Sequence, residues 1–152
     1  MPNPLANKRI ILGITGGIAV YKAATICSRL VQAGAQVDVV MTASAQQFIT
    51  PTTFQALTHR RVYTDMFDIP SGENIPHITL ADEADLLIIA PAMETDMWQH
   101  PATQANFGIL KRWTNKINFI GPATGRLASG AQGLGRMVEA EEVVNQAQHL
   151  LA

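Results

Sequence analysis

Apolar residues along the 152-residue chain fall into two periods, and the alternation between them predicts the architecture. RIILGI (Arg9–Ile14) and QVDVVM (Gln36–Met41) read as short strands, the second with a run of valines suited to burial. Between them Ile18, Tyr21, Ala24, Thr25, Ser28 and Leu30-Val31 form a helical stripe that reaches Ala33, with Gly34 as its stop. Ser44 reads as the cap of a short helix, Pro51-Thr52-Thr53 opens another over 54–58, and 61–64 predicts a short edge strand. Residues 68–76, with two prolines, a glycine and no periodicity, read as a loop and a candidate flap. His77 then opens a short helix, HITLADEAD, that leads into the buried strand LLIIA at 86–90. Pro91 ends that strand, and 91–98 reads as a polar loop carrying Met93, Glu94, Asp96, Met97 and Trp98. Pro101 stands at the first turn of a helix to about Trp113, and KINFI (116–120) predicts the last strand. A glycine-rich run (121–137) and a helix over 139–151, with acids in its first turn, close the chain. Strands alternating with amphipathic helices predict an α/β fold of three layers around a mostly parallel sheet, with right-handed crossovers.

Composition narrows the partners. The length suits a single domain over residues 1–152. Eleven basic residues against twelve acidic ones leave a net charge of −1 and no basic patch, so nucleic acid is not an expected partner. A single cysteine, Cys27, inside the first helical stripe excludes an intrachain disulfide and the usual zinc spacings; it reads as a small buried hydrophobe in a reducing, cytoplasmic setting. The first residues lack signal-peptide architecture, and no segment is long enough to span a bilayer, so no membrane partner is expected.

Three stretches carry candidate chemistry. GITGGIA (13–19), between a strand and a helix, is a turn in which backbone N–H groups and the helix dipole can hold a phosphate, or else a tight turn without a ligand. It matches neither the dinucleotide nor the Walker pattern. Thr42 and Ser44, at the end of the second strand, either add hydroxyl donors beside this turn or serve as helix caps. His77 is a candidate acid or base, with a solvated or structural histidine as the alternative. Glu94 and Asp96 are general acid–base groups or part of a solvated loop, and Trp98 is a site residue or a core plug. The run 126–137 is a long connection or a substrate-closing flap with glycine hinges, in which Arg126 or Arg136 meets an anionic substrate.

Taken together, GITGGIAVYKA, VVMTASAQQFITPTTFQALT, VYTDMFD, IPHITLADEADLLIIAPA, PAMETDMWQHPATQANF and GRLASGAQGLGRMVEAEEV resemble the flavin-containing cysteine decarboxylases in the same order over nearly the whole chain. Within them the chain is most similar to the phosphopantothenoylcysteine decarboxylases of coenzyme A synthesis. The resemblance implies a Rossmann-like (flavodoxin-like) domain with FMN as cofactor and no metal. It implies that Gly16, Gly17 and Ile18, with Thr42 and Ser44, hold the FMN phosphate and that His77 is the active-site base. It also implies that the 91–98 loop presents substrate-contacting groups, Met93 and Glu94 among them. The run 126–137, with Arg126, Ala128, Ser129, Gly130, Arg136 and Met137, becomes a clamp over the substrate. The implied reaction is FMN-dependent oxidation of a cysteine thiol to a thioaldehyde, loss of CO2 through an enethiolate, and return of the electrons to give a thiol product. A homo-oligomer, a trimer or a multiple of it, goes with this family, as does a coenzyme A synthetase domain in longer chains.

The chain departs from the family pattern in three places. Glu94 stands where an asparagine expected to bind the departing carboxylate is usual, and Ser129 stands where the clamp usually carries a thiol that serves the reductive half. Ala90-Pro91-Ala92 also joins the first strand directly to the second loop, so that a helix-and-strand unit is absent. Because the family carries an alanine-proline-alanine step at both strand ends, a deletion between the two copies accounts for the junction. A sheet with a seam or a changed neighbour is the expected result. The expected activity is FMN-dependent decarboxylation of 4′-phosphopantothenoylcysteine, with a peptide ending in cysteine as the alternative substrate. A catalytically impaired subunit with a binding or regulatory role is the alternative of a different class, and a flavin prenyltransferase is the weaker third.

Overall fold

The computed structural model describes residues 3–69, 71–72, 75–113 and 117–152. Five parallel strands form one sheet: β1 (Arg9–Ile14), β2 (Gln36–Met41), β3 (Val62–Tyr63), β4 (Leu86–Ile89) and β5 (Ile117–Phe119). Their order is β3-β2-β1-β4-β5. The helices between them are α1 (Val20–Gln32), α2 (Pro51–Thr58), α3 (Pro76–Glu83), α4 (Thr95–Gln99) and α5 (Pro101–Trp113); α6 (Ala140–Leu151) follows the last strands and packs on α1. This is the α/β Rossmann-like arrangement expected from the alternating periods.

The sheet has no seam. β4 pairs with β1 on one side (Ile10 with Leu86, Leu12 with Ile88) and with β5 on the other (Leu87 with Ile117, Ile89 with Phe119). β4 is thus paired along both of its edges. The two faces of the sheet are covered unequally. On one, Ile10, Leu12, Ile14, Val37, Val39, Met41, Leu86 and Ile88 are buried beneath a layer that includes Val20, Ile26, Cys27 and Leu30 of α1 and Val143 and Ala147 of α6. On the other, Ile11, Val40, Leu87 and Ile89 are half-buried, and α5 contributes no fully buried residue. There α5 rests on the sheet through an aromatic chain in which Phe107 meets Phe119 edge-on at 4.5 Å and Trp98 at 5.3 Å. Trp98 is thus a buried plug, the plainer of its two readings.

Asp38 also lies on this second face, at the end of the sheet away from the strand exits. Its buried carboxylate accepts from Arg9 Nη2 at 2.8 Å and Arg60 Nε at 2.8 Å, tying β1, β2 and the turn before β3 together. Both carboxylate oxygens are engaged, which offsets the cost of taking the charge out of water.

Several sequence expectations are corrected. KINFI is not the last strand: the glycine-rich run folds into an antiparallel hairpin of β6 (Ala123–Arg126) and β7 (Gln132–Arg136). The 91–98 segment is not all loop, because Glu94 is the extended N-cap of α4, whose first turn carries Asp96. Ser44 makes no side-chain cap; the hydroxyl of Thr42 accepts the Ala45 N–H at 3.2 Å instead. The expected flap at 68–76 falls partly outside the described residues.

Candidate functional site

After β1 the chain crosses to β2, and after β4 it crosses the opposite way to β5, so the topological switch point lies between β1 and β4. A crevice of about 90 Å³ sits there, with Gly13, Thr15, Gly16 and Gly17 on one side, Ala90 and Ala92 on the other, and Met137 reaching in from the hairpin. The rest of its lining is apolar, from Leu12 and Ile14 of β1 and Val20, Ala23 and Ile26 of α1. The local sequence explains the shape. A Cβ on Gly16 would stand 2.7 Å from the Ser44 Cβ and 3.0 Å from the Ser44 carbonyl carbon, so the turn and the exit of β2 close on each other only at glycine. The Val20 N–H bonds back to the Gly17 carbonyl at 3.1 Å, and α1 starts with its positive dipole end at the turn. Thr42 uses an oxygen lone pair on Ala45 and keeps its own O–H to donate, whereas Ile18 is 60% exposed.

The hairpin docks on the exit of β4 through its backbone. Gly133 and Gly135 lie two apart on β7 and share one face; a Cβ on Gly133 would collide with the Thr95 hydroxyl, and one on Gly135 with the Met93 carbonyl. The Met93 N–H donates to the Gly135 carbonyl at 2.9 Å, and Leu127 is buried behind the turn. Thr95 Oγ1, pressed into the Gly133 notch, is buried and has no hydrogen-bond partner among the described residues. At the hairpin tip, the Ser129 Oγ–H donates to Glu94 Oε2 at 2.8 Å and the Ser129 N–H to Glu94 Oε1 at 3.2 Å. The two residues expected to carry chemistry from separate segments, Glu94 and Ser129, are therefore hydrogen-bonded partners.

Met137 is held over the crevice by a residue that the sequence reading passed over. Lys22 Nζ donates to the Met137 carbonyl at 3.2 Å and pairs with Glu139 at 3.1 Å. Burial, and then the nearby Arg136 guanidinium, hold this ammonium below its ordinary pKa. The one available signal was a lysine placed between Val20 and Ala23, both buried on the apolar face of α1. Arg136 also pairs with Glu139, the N-cap of α6, so that Lys22 and Arg136 share one carboxylate, and the Arg136 side chain lies across Gly125.

The remaining expected site residues stand apart. Arg126, Ala128 and Gly130 are exposed; Arg126 pairs in register with Gln132, which places it on the hairpin face opposite the Gly133 and Gly135 strip. His77 is exposed in the first turn of α3, at the end of the sheet where the strands exit, and has no hydrogen-bond partner among the described residues. Asp96 is exposed. Cys27 is fully buried, and burial pushes its thiol up to about 12, so the one cysteine is an inert core residue, as expected. Among the described residues no cluster of His, Cys, Asp and Glu could hold a metal ion, and no helix is long and apolar enough to cross a membrane.

Comparison with known proteins agrees with this arrangement. The flavoprotein family matches the chain twice, over residues 1–92 and 87–152, with the β4 exit shared by both matches. The coenzyme A biosynthesis bifunctional protein CoaBC of Bacillus subtilis (strain 168) is 40% identical over 177 positions, covering 95% of this chain and 43% of the relative. That alignment is longer than the 152-residue chain itself, so the relative carries residues that are absent here. The chain thus spans less than half the length of this curated relative. A solved structure described as PPC decarboxylase mutant C175S complexed with pantothenoylaminoethenethiol superposes with a TM-score of 0.77 at 24% identity, covering 94% of this chain and 97% of the other. The FMN binding protein AtHal3 superposes with a TM-score of 0.74 at 23% identity, covering 94% and 96%. These two likenesses are of fold. With both halves of the chain matched and the crevice, the strand exit and the hairpin built as described, the chain belongs to the flavoprotein family.

Proposed function

We propose that residues 1–152 act as one flavoprotein-type domain that decarboxylates 4′-phosphopantothenoylcysteine to 4′-phosphopantetheine with FMN as cofactor. The observation that carries this reading is the 40% identity, over nearly all of the chain, to a protein named for coenzyme A biosynthesis. The names of the two structural neighbours, a PPC decarboxylase and an FMN binding protein, agree with it. The residues present fit the phosphate end of FMN: a glycine turn that tolerates no side chain at Gly16 and the start of α1 meet at the crevice, and Thr42, bonded through its N–H to the Ile14 carbonyl beside the turn, keeps its hydroxyl proton to donate. Ser44 packs against Gly16 from the exit of β2, and the exposed Ile18 follows the turn.

When bound, FMN supplies the two-electron oxidation of the substrate thiol. The chain's own groups do the rest. Gly16, Gly17 and Thr42 hold and orient the phosphate, the His77 imidazole takes the thiol proton, and Met93 and Met137 give the substrate an apolar wall. The hairpin excludes water above the β4 exit, and the exposed Arg126 meets an anionic group of the substrate. Ser129 carries no redox-active thiol and Cys27 is buried, so the two electrons that would return to the enethiol to give the thiol product are those FMN took up in the first step. We further propose a cytoplasmic homo-oligomer, a trimer or a multiple of it. The half-covered second face of the sheet and exposed Phe67 (80%) and Trp113 (73%) support that assembly. Nothing in the site favours a catalytically silent subunit.

The visible spectrum of the purified protein tests the reading. Bound FMN that bleaches on addition of phosphopantothenoylcysteine is expected, with His77→Asn retaining flavin and losing the bleaching. A protein that takes up no FMN overturns the proposal, and bleaching only by a cysteine-terminated peptide redirects it to that substrate.

A further inference from the structure

The hairpin joins the rest of the chain through an inward leg, 121–123, and an outward leg, 136–138, and both are fastened at the base. The inward leg packs on the outward one so closely that a Cβ on Gly121 would stand 2.7 Å from Val138 Cγ1. On the outward leg Lys22 Nζ donates to the Met137 carbonyl at 3.2 Å and to the Glu139 carboxylate at 3.1 Å. That carboxylate also serves Arg136, so Lys22, Arg136 and Glu139 form one cluster around the leg. Lys22 belongs to the first turn of α1, and its neighbours Val20 and Ala23 line the same crevice as the glycine turn and Met137. A single, mostly buried lysine therefore ties the helix that starts at the glycine turn to the residue that reaches over it. Lys22 is not among the described residues that line the crevice, and two of its three N–H donors are spent on Met137 and Glu139.

We propose that Lys22 is a positioning residue that holds Met137 over the crevice and so retains the cofactor phosphate, acting through the hairpin base and not by touching the phosphate. The inference rests on the reading of the crevice as the place of the FMN phosphate. Hairpin docking and flavin retention then become two ends of one equilibrium: what loosens the hairpin base frees the flavin, and bound flavin steadies the hairpin.

Two measurements on the full chain test this. The first is the rate at which FMN leaves the holoprotein, followed by the return of flavin fluorescence on dilution. Lys22→Met, similar in length and without the charge, is expected to speed release about tenfold and Lys22→Arg less than about threefold, as loss of a charged hydrogen bond predicts. Met137→Ala is expected to speed release by a similar factor, and in that background Lys22→Met is expected to add less than about twofold, because no side chain is left to position. The second measurement is hydrogen exchange at the Met93 amide, which is bonded to the Gly135 carbonyl in the docked hairpin. Lys22→Met is expected to speed it about tenfold while exchange at Leu12, inside the sheet, stays unchanged. If the effects of Lys22→Met and Met137→Ala on release simply multiply, the proposal is overturned, because the lysine then acts by its own charge. Equal acceleration at Met93 and Leu12 overturns it too, since that marks a global loss of stability, as does FMN release that Lys22→Met leaves unchanged. A wild type that takes up no FMN fails the flavin reading instead. The Met93 amide then decides the role of Lys22 alone, and an exchange rate unchanged by Lys22→Met overturns it.

Discussion

At the residue scale, the site depends on positions where a side chain is missing. Gly133 and Gly135 make one edge of β7 flat enough for the Met93 carbonyl and the Thr95 hydroxyl to lie against backbone. Gly135 also sits at φ +146, where any other residue is disfavoured. Gly135→Ala is therefore expected to break the Met93–Gly135 hydrogen bond and to cost about 1–3 kcal/mol, the usual penalty of forcing atoms into a filled contact. Urea unfolding measures that loss, and an unchanged midpoint would show that the strip has no such role. The pairing of Glu94 with Ser129 was not legible in the sequence, where Glu94 stood out as a candidate acid–base group and both as departures from a family pattern. They lie 35 residues apart, and only the return of the hairpin over the β4 exit makes them partners. His77 and the glycine turn are the reverse case. Their place at the strand exits follows from the order of elements alone, since every helix that follows a parallel strand begins at that end.

At the element scale, β1, β2, α1 and α6 were legible because each carries a long apolar period with a clear stop. β6 and β7 were not. ATGR and QGLGR hold too few apolar residues to alternate, and glycines that serve a docking face read as turn signals. α4 was hidden by its length, five residues with little room for a period. The link between α1 and the hairpin base gives a pH-dependent prediction. Lys22 is held below its ordinary pKa of 10.5, chiefly by burial, so the unfolded chain binds more protons than the folded one between the lowered value and 10.5. Stability from this group therefore rises as pH climbs through that window. Comparing wild type with Lys22→Met by denaturant unfolding from pH 7 to pH 10 isolates the term. The wild type is expected to gain on the variant as pH rises, and parallel curves would remove Lys22 from the account.

At the scale of the whole molecule, the unequal covering of the two sheet faces is the feature with the widest reach. Beside the half-covered face and the exposed Trp113, the side chains of Met66, Phe67, Ile69, Ile75 and Ile78 are exposed, apolar surface that an assembly would cover. The proposed homo-oligomer predicts that light scattering gives a trimer or a multiple of it, and that Phe67→Asp combined with Ile78→Asp yields monomers with unchanged circular dichroism. A wild-type monomer would remove the assembly from the proposal. The continuity of the sheet at β4 has a different consequence. Pairing with β1 and β5 at once requires that the residues of β4 keep their inward and outward assignments on both edges, Leu86 and Ile88 to one face and Leu87 and Ile89 to the other. A cut at an arbitrary place would shift the chain by an odd number of residues as often as an even one and turn its apolar side outward. Where two strand exits share the same short sequence, a join between them is automatically in phase. A strand, its helix and their loops can then leave together without one remaining residue changing sides.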